Sequence, residues 1–350
     1  MTTASEAILV TGGAGFIGAN FILNWMQTAA SPVINLDLLT YAGNRANLAS
    51  ITGDARHTLV EGDICNADLV ASLLAEHRPW AIVHCAAESH VDHSIAAPAA
   101  FLRTNVQGSF TLLEQARLYY STLDAASQSR FRFLHVSTDE VYGSLAPGAP
   151  PCTEASPYAP NSPYAASKAA SDHMARAYHR TYGLPVLTTH CSNNYGPLQF
   201  PEKLIPLVIT NALAGKPLPV YGDGQNLRDW IFVADHCSAL RAVLERGRVG
   251  ETYNIGANCE VRNLDLVNAL CDLLDELRPD PALTPRRQLI RFVVDRPGHD
   301  RRYALDATKI RRELGWQPLT PFALGLRQTV AWYIEHGAWL QALRGSRSAA

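Results

Sequence analysis

Short apolar runs alternate along the chain with longer stretches whose apolar residues recur three and four apart. The runs at 7–11, 33–37, 57–61, 81–85, 131–137 and 185–191 read as strands, that at 131–137 as a buried one, and the stretches at 16–28, 67–77, 105–120 and 163–182 as helices between them. Strands alternating with helices of roughly 10–20 residues are the pattern of right-handed βαβ units. The expected fold class is therefore α/β, a doubly wound parallel sheet of the Rossmann type. After Tyr195 the rhythm breaks: Pro197, Pro201, Pro206, Gly215, Pro217, Pro219, Gly222 and Gly224 predict a smaller, more irregular lobe. A helical stretch at 234–246 and a short run at 252–255 read as a return to the sheet.

The expected division is a nucleotide-binding unit over 1–192 with a return segment at about 226–257, and a second lobe over 193–225 and 258–340. A tail follows over 341–350, frayed from Gly345 onward. The proline-rich run 146–163 leads straight into a helix and reads as a loop beside the site, and 123–130 reads as a long connecting loop.

Composition narrows the classes. At 350 residues, 47% hydrophobic and 18% charged, the chain can bury a substantial core, and disorder is not expected. The formal net charge of −2 argues against a nucleic-acid partner or an anionic membrane surface. No apolar run reaches the roughly 18 residues of a membrane span, and the first ten residues lack the basic region and apolar length of a signal peptide. Seven cysteines, odd in number and without a C-x-x-C pair, read as buried free thiols of a reducing cytoplasm and suggest no metal site.

Three patterns carry candidate chemistry. Thr11-Gly12-Gly13-Ala14-Gly15-Phe16-Ile17-Gly18 follows the first strand and opens the first helix. Its glycines permit a tight turn and close backbone approach, and the N–H groups at the helix start attract a pyrophosphate. Asp37, at the end of the second strand, can accept hydrogen bonds from ribose hydroxyls and would repel a 2′-phosphate, which favours NAD over NADP. Asp63, after the third strand, could hold the adenine edge or cap the next helix. Tyr164 and Lys168 lie four apart on a helix that Ser162 could cap and Pro163 open, so both share one face. A cation there is expected to lower the phenol pKa and make tyrosinate a usable base. Finally, the strand at 131–137 leads through Ser137 and Thr138 into adjacent carboxylates, Asp139 and Glu140. By itself such a pair is a solvated turn. Beyond the carboxyl end of a strand in an open sheet, it can give one proton and take another.

Taken together, the glycine motif, a Ser/Thr after the fifth strand and Tyr164-x-x-x-Lys168 resemble the extended short-chain dehydrogenase/reductase superfamily. Ser137-Thr138-Asp139-Glu140-Val141-Tyr142-Gly143 resembles its nucleotide-sugar 4,6-dehydratases, whereas sugar 4-epimerases usually lack the Asp-Glu pair. Segments 86–92, 191–197, 201–206, 228–230 and 295–303 are similar to the dTDP-glucose 4,6-dehydratase family, and the likeness runs from about 7 to 335. One departure is His93, where the family usually has Arg.

The resemblance implies an internal redox dehydration of a nucleotide-linked hexose, with dTDP-glucose as substrate. Thr138, Asp139, Glu140, Tyr164 and Lys168 would be catalytic. NAD would be held by Gly12, Gly15, Phe16, Ile17, Gly18, Asp37, Leu38, Leu39, Thr40, Asp63, Ile64, Ala86, Ala87, Glu88, Ser89, Thr104 and Asn194, with Tyr164 and Lys168. The nucleotide sugar would meet His90, Thr138, Asn193, Lys203, Leu204, Pro219, Tyr221, Arg228, Asn263, Arg296 and His299. Arg228 and Arg296 are candidate clamps for the diphosphate. Left open are a surface ion pair for Arg228-Asp229, a helix cap for Asn263 and a core position for His90. A UDP-glucose 4,6-dehydratase would share the acid pair, and a related epimerase or decarboxylase the cofactor site. The helices at 105–120 and 163–182 are apolar over more than one stripe. In the resembling family they pair across a two-fold axis, so a homodimer built on a four-helix bundle is expected.

Overall fold

The computed structural model describes residues 7–29 and 31–345. The early strands are β1 (Ile8–Thr11), β2 (Val33–Asp37), β3 (His57–Glu61), β4 (Ala81–His84), β5 (Arg132–Thr138) and β6 (Val186–Cys191). Then follow β7 (Asn193–Tyr195), β8 (Leu218–Tyr221), β9 (Leu227–Phe232), β10 (Thr252–Ile255), β11 (Glu260–Arg262) and β12 (Ile290–Val293). Seven of them form one sheet in the order β10-β6-β5-β4-β1-β2-β3, parallel throughout. Among its central strands Ile8, Val10, Ile82, Val83, Phe133 and Leu134 are fully buried, because helices cover both faces. The helices Phe16–Thr28 and Val233–Arg246 close one face through Phe21, Trp25, Leu240 and Val243. The helices Ala67–His77, Ser109–Ser121 and Pro163–Tyr182 close the other through Leu73, Leu112, Leu113 and Ala175. Strand order reverses between β1 and β4, which opens the crevice where open α/β sheets take ligands.

The second lobe hangs on small sheets, β11-β9-β7 and the parallel pair β12-β8. Its core gathers Tyr195, Ile209, Trp230, Leu270, Val330 and Tyr333. Here β9 pairs with β7 and β11, so the return to the large sheet begins with the helix at Val233 and not at 226.

Three other expectations change. The helical stretch at 105–120 opens with a π-helical turn over Leu102–Gly108 before the α-helix Ser109–Ser121. The buried Asn105 amide accepts the Glu88 N–H and donates to the Glu88 carbonyl and to Ser167 Oγ, each at 2.9 Å. Residues 125–130, expected as loop, are the helix Ala125–Arg130, because Asp124 caps it by accepting the Ser127 N–H. Residues 341–345, expected in the tail, continue the helix Gly337–Gly345, with Leu343 buried. The rest of the tail, 346–350, lies outside the described residues. All seven cysteines are free thiols. Among the described residues no helix is long and apolar enough to cross a membrane.

Candidate active site

The turn after β1 is shaped by what its glycines avoid. Gly12 has φ +71°, and a Cβ there would come within 2.6 Å of the Ala86 backbone across the switch point. A Cβ on Gly18 would lie 2.2 Å from the Gly12 carbonyl oxygen. The helix that follows begins at Gly15 with no side-chain cap, so its first N–H groups remain for a ligand. At the end of β2, Asp37 accepts the Ala14 and Leu39 N–H groups, each at 2.8 Å, one on each oxygen. A carboxylate offers about four acceptor sites, so two remain for hydroxyl donors. Asp63 is not the cap of the next helix: Asn66 is, accepting the Leu69 N–H. Instead Asp63 accepts the Cys65 N–H and pairs with Arg103 at 2.7 Å.

These elements enclose a cavity of about 300 Å³. Every cofactor-side residue named from the sequence lines it except Leu39, which turns away at φ +52° and offers only its N–H to Asp37. A second cavity, of about 220 Å³, lies between the sheet and the second lobe. Every substrate-side residue named from the sequence lines it except Thr138, which faces the first cavity. The two share Ser89, Glu140, Asn193, Asn194, Lys203 and their neighbours Gln199 and Glu202, so Glu140 stands where one opens into the other.

The helix Pro163–Tyr182 brings the remaining chemistry to that junction. Ser162 caps it by accepting the Ala165 N–H at 3.0 Å, Pro163 opens it, and Gly183 ends it in the left-handed conformation. Tyr164 and Lys168 are both buried and both line the first cavity. The Lys168 ammonium donates to the Val136 carbonyl at 2.9 Å. The expected lowering of the phenol pKa by Lys168 is not what this structure holds. Burial, and then the Glu140 carboxylate, push the Tyr164 phenol well above its ordinary value.

The two adjacent carboxyls sit in different surroundings. Asp139 is 4% exposed, and burial, then the charges of Glu140 and Asp229, raise its pKa well above the usual carboxylate range. Its Oδ1 accepts from Thr138 Oγ1 at 3.3 Å, while Oδ2 is buried with no hydrogen-bond partner among the described residues. Glu140 is half-buried. Burial raises it as well, but Arg228, Lys203 and Arg296 oppose that rise. Asp139 thus keeps its proton more firmly than Glu140 does, which is how one environment makes an acid and a base of two carboxyls.

On the second-lobe side, Arg228-Asp229 is no surface ion pair. Both are buried. Arg228 donates to the Leu227 and Asp300 carbonyls, each at 2.8 Å, and lies 4.4 Å above the Tyr303 ring. Arg296 is held by Asp92 through Nε at 2.6 Å and Nη2 at 2.9 Å. That bidentate bond occupies one edge of the guanidinium and leaves Nη1 for an anion. Lys203 donates to the Ser89 carbonyl at 2.6 Å, and His299 pairs with Asp295 at 2.6 Å. His90 is not a core residue. Burial and Lys203 lower its pKa to about 4, and it lines the second cavity with its Nδ1 3.4 Å from the His93 N–H. Asn263 caps nothing: it begins the helix Asn263–Leu277, and its Oδ1 is buried without a partner, as are Asn193 Oδ1 and Trp230 Nε1 beside it in the cavity wall. Buried polar atoms are almost always bonded, so such a set is fitted for a polar ligand.

The sequence reading missed Gln199, Phe200, Glu202, Asp300 and Tyr303 in these walls. Gln199 and Phe200 sit in an irregular proline-flanked stretch with no periodicity to read, and Glu202 lies within the segment 201–206, of which the reading used only Lys203 and Leu204. Asp300 and Tyr303 fell within the segment 295–303, from which only Arg296 and His299 were drawn.

A family model described as GDP-mannose 4,6 dehydratase matches residues 9–329. The chain is 59% identical over 335 residues to a dTDP-glucose 4,6-dehydratase of Xanthomonas campestris pv. campestris strain B100, covering 96% of this chain and 95% of that one. It is 52% identical over 345 residues to dTDP-glucose 4,6-dehydratase 1 of Escherichia coli K12, covering 96% and 95%. Among solved structures, the dTDP-glucose 4,6-dehydratase of Streptomyces venezuelae, crystallised with NAD and dTDP bound, superposes with a TM-score of 0.87 at 51% identity, over 96% of this chain and 99% of that one. A UDP-glucose 4-epimerase of Thermotoga maritima reaches 0.81 at only 28% identity, over 94% and 99%. The site geometry and this agreement along nearly the whole length lead to one conclusion: the chain belongs to the nucleotide-sugar 4,6-dehydratases, in the dTDP-glucose 4,6-dehydratase family.

Proposed function

We propose that the protein is an NAD-dependent hydro-lyase that converts dTDP-glucose to dTDP-4-keto-6-deoxyglucose. The observation that carries the proposal is the placement of Asp139 and Glu140 beside Tyr164 and Lys168, where the dinucleotide-shaped cavity meets the nucleotide-sugar cavity. The first cavity suits NAD: its glycines leave no room for side chains, and Asp37 has acceptor capacity left for ribose hydroxyls and would repel the extra phosphate of NADP. When bound, the cofactor would supply, as NAD⁺, the acceptor for the C4 hydride and a positive charge inside the cavity that Tyr164 lines, and, as the NADH so formed, the donor of that hydride to C6.

The protein's own groups do the rest. Tyr164, with Lys168 on its helix face, takes the C4 hydroxyl proton, and Thr138 holds the developing C4 oxygen. Oxidation at C4 acidifies the C5 proton, which Glu140 removes. Asp139, kept protonated by burial, gives its proton to the C6 hydroxyl, which leaves as water. A proton returned to C5 completes the product. Arg228, Arg296 and Lys203 balance the diphosphate, and Asn193, Asn263, Leu204, Pro219, Tyr221, His90 and His299 line its path.

The same reading assigns cofactor binding to the sheet unit and nucleotide-sugar binding to the second lobe. It also assigns dimerisation to a four-helix bundle. Leu102, Phe110, Leu118 and Tyr182 are each more than 40% exposed along the helical segments 102–121 and 163–182. Large apolar side chains in such a row support a partner helix pair. The function is tested by incubating the enzyme separately with dTDP-glucose and UDP-glucose and following the alkali-induced absorbance of a 4-keto-6-deoxy product. Appearance with dTDP-glucose is expected, and no product from it would refute the proposal.

A further inference from the structure

The helix that carries Tyr164 and Lys168 carries a second charge on the same face. Asp172 follows Lys168 by one turn, is buried, and has no part in the steps above. Its carboxylate accepts four hydrogen bonds. Oδ1 receives one from His135 Nε2 at 3.0 Å, and Oδ2 receives Ser137 Oγ at 2.9 Å, His190 Nε2 at 3.0 Å and the Tyr158 hydroxyl at 3.1 Å. The donors come from β5, β6 and the loop before the helix, and Tyr142 backs His190 at 2.7 Å. A carboxylate satisfied by that many donors stays ionised deep in a protein, and these bonds hold it well below the usual range.

Lys168 is surrounded by groups that do not balance its charge. Tyr164 and Asp172 share its helix face one turn to either side, and the groups whose charge acts on it are Asp172, His84 and Cys85 from β4 and its end, His135 from β5 and Cys191 from β6. Burial pushes the Cys85 thiol up to about 12 and raises Cys191 too, while it lowers His84 and His135, so these four are neutral over the working range. Among the described residues the ammonium donates one hydrogen bond, to a neutral carbonyl, Val136. Desolvation pulls the Lys168 pKa down, and the largest influence opposing it is Asp172. A buried ammonium with no counter-charge gives up its proton.

We propose that Asp172 is a positioning residue of the active site, whose caged carboxylate is the counter-charge that keeps Lys168 an ammonium. The inference rests on the function proposed above for the roles of Lys168 and Tyr164. The competing account gives the same four bonds a structural task alone, tying the helix to the sheet.

Asp172→Asn separates the two, because it keeps the side chain's size and removes its charge. In holoenzyme the charge state of Lys168 is read by trace acetylation with acetic anhydride across pH, with Lys168 quantified by mass spectrometry. The pH profile of C4 oxidation is measured in parallel. The expected result is that the midpoint of Lys168 acetylation and the alkaline limb of the profile both fall by about one pH unit or more. Tyr158→Phe removes one bond of the cage and no charge, so both should stay where the parent has them. A folded Asp172→Asn whose Lys168 midpoint matches the parent's overturns the inference and leaves the cage a structural tie. If the single variant does not fold, Asp172→Asn with His135→Gln relieves the donor left facing it and is read the same way. Acetylation needs no turnover, so failure of the parent on dTDP-glucose would sink the functional reading while the midpoint still decides this one.

Discussion

Asp139→Asn is the sharpest probe of the acid pair. The substitution keeps the shape of the side chain and its contact with Thr138 Oγ1, 3.3 Å away, and removes only the proton that burial and the Glu140 charge hold in place. Loss of a positioned general acid typically costs 10²–10⁴-fold. At about 1.4 kcal/mol per decade that is roughly 3–5 kcal/mol of barrier, all of it on departure of the C6 oxygen. Oxidation at C4 uses Tyr164 and should survive. In stopped flow the variant should therefore build reduced-cofactor absorbance at near the parental rate and then stall, and quenched samples should contain a 4-keto hexose that retains its C6 oxygen. A substrate with fluorine at C6 needs no proton to leave, so it should recover most of the lost rate in Asp139→Asn. Glu140→Gln should gain nothing from it, since C5 still has to lose its proton. Near-parental turnover by Asp139→Asn on the natural substrate would show that the pair is only a turn. Equal rescue of both variants would show that the roles are exchanged.

Tyr164→Phe should lower turnover 10²-fold or more and never show reduced-cofactor absorbance, because the first proton transfer is gone; turnover within a few-fold of the parent would reassign the base. Asp139 also costs stability. Its folded pKa is raised, so its favourable contribution is complete below the unfolded value of 3.8 and is lost as pH rises through the folded value. Asp139→Asn should accordingly melt above the parent at neutral pH by ~2–4 °C, with the gap closing on acidification, as followed by calorimetry. In Gly18→Ala the new methyl would lie 2.2 Å from a backbone oxygen, which predicts a loss of about 1–3 kcal/mol in chemical denaturation; Gly15→Ala, with 3.3 Å to the same atom, should keep parental stability. Phe110→Glu with Leu118→Glu puts charges into the exposed apolar row and should convert a sedimenting dimer to monomer, and a monomeric parent would refute the four-helix bundle.

Much of the sheet was legible because burial on both faces leaves so few options. The strand Val33–Asp37 and helices such as Phe16–Thr28 and Pro163–Tyr182 have the limits that their apolar runs and caps predict; the edge strand His57–Glu61 keeps its predicted limits although none of its residues is buried. Misreadings fell where a tertiary contact decides the local backbone. Nothing in the spacing of residues 102–108 announces a π-helical turn, because the amide that fits it, Asn105, is satisfied by Glu88 and Ser167 from other elements. Leu227–Phe232, interrupted by Arg228 and Asp229, has no spacing that assigns it to either sheet. Only its pairing with Asn193–Tyr195 and Glu260–Arg262 assigns it to the second lobe.

Chemistry was legible to the extent that it depends on residue type at fixed spacing, and illegible where it depends on surroundings. Tyr164 and Lys168 could be placed on one helix face from their numbers alone. The direction of the phenol's shift could not, because it is set by desolvation and by Glu140, which comes from another strand end. The same limit hid Asp92. Its bidentate hold on Arg296 bridges 204 positions of sequence, and it determines which edge of the guanidinium is left for a phosphate. Asp172 shows the limit most fully. Its four donors lie at 135, 137, 158 and 190, none of them on its own helix. From sequence it is one more polar residue on a helix, and only the packing of that helix on β5 and β6 turns it into a caged charge one turn from Lys168.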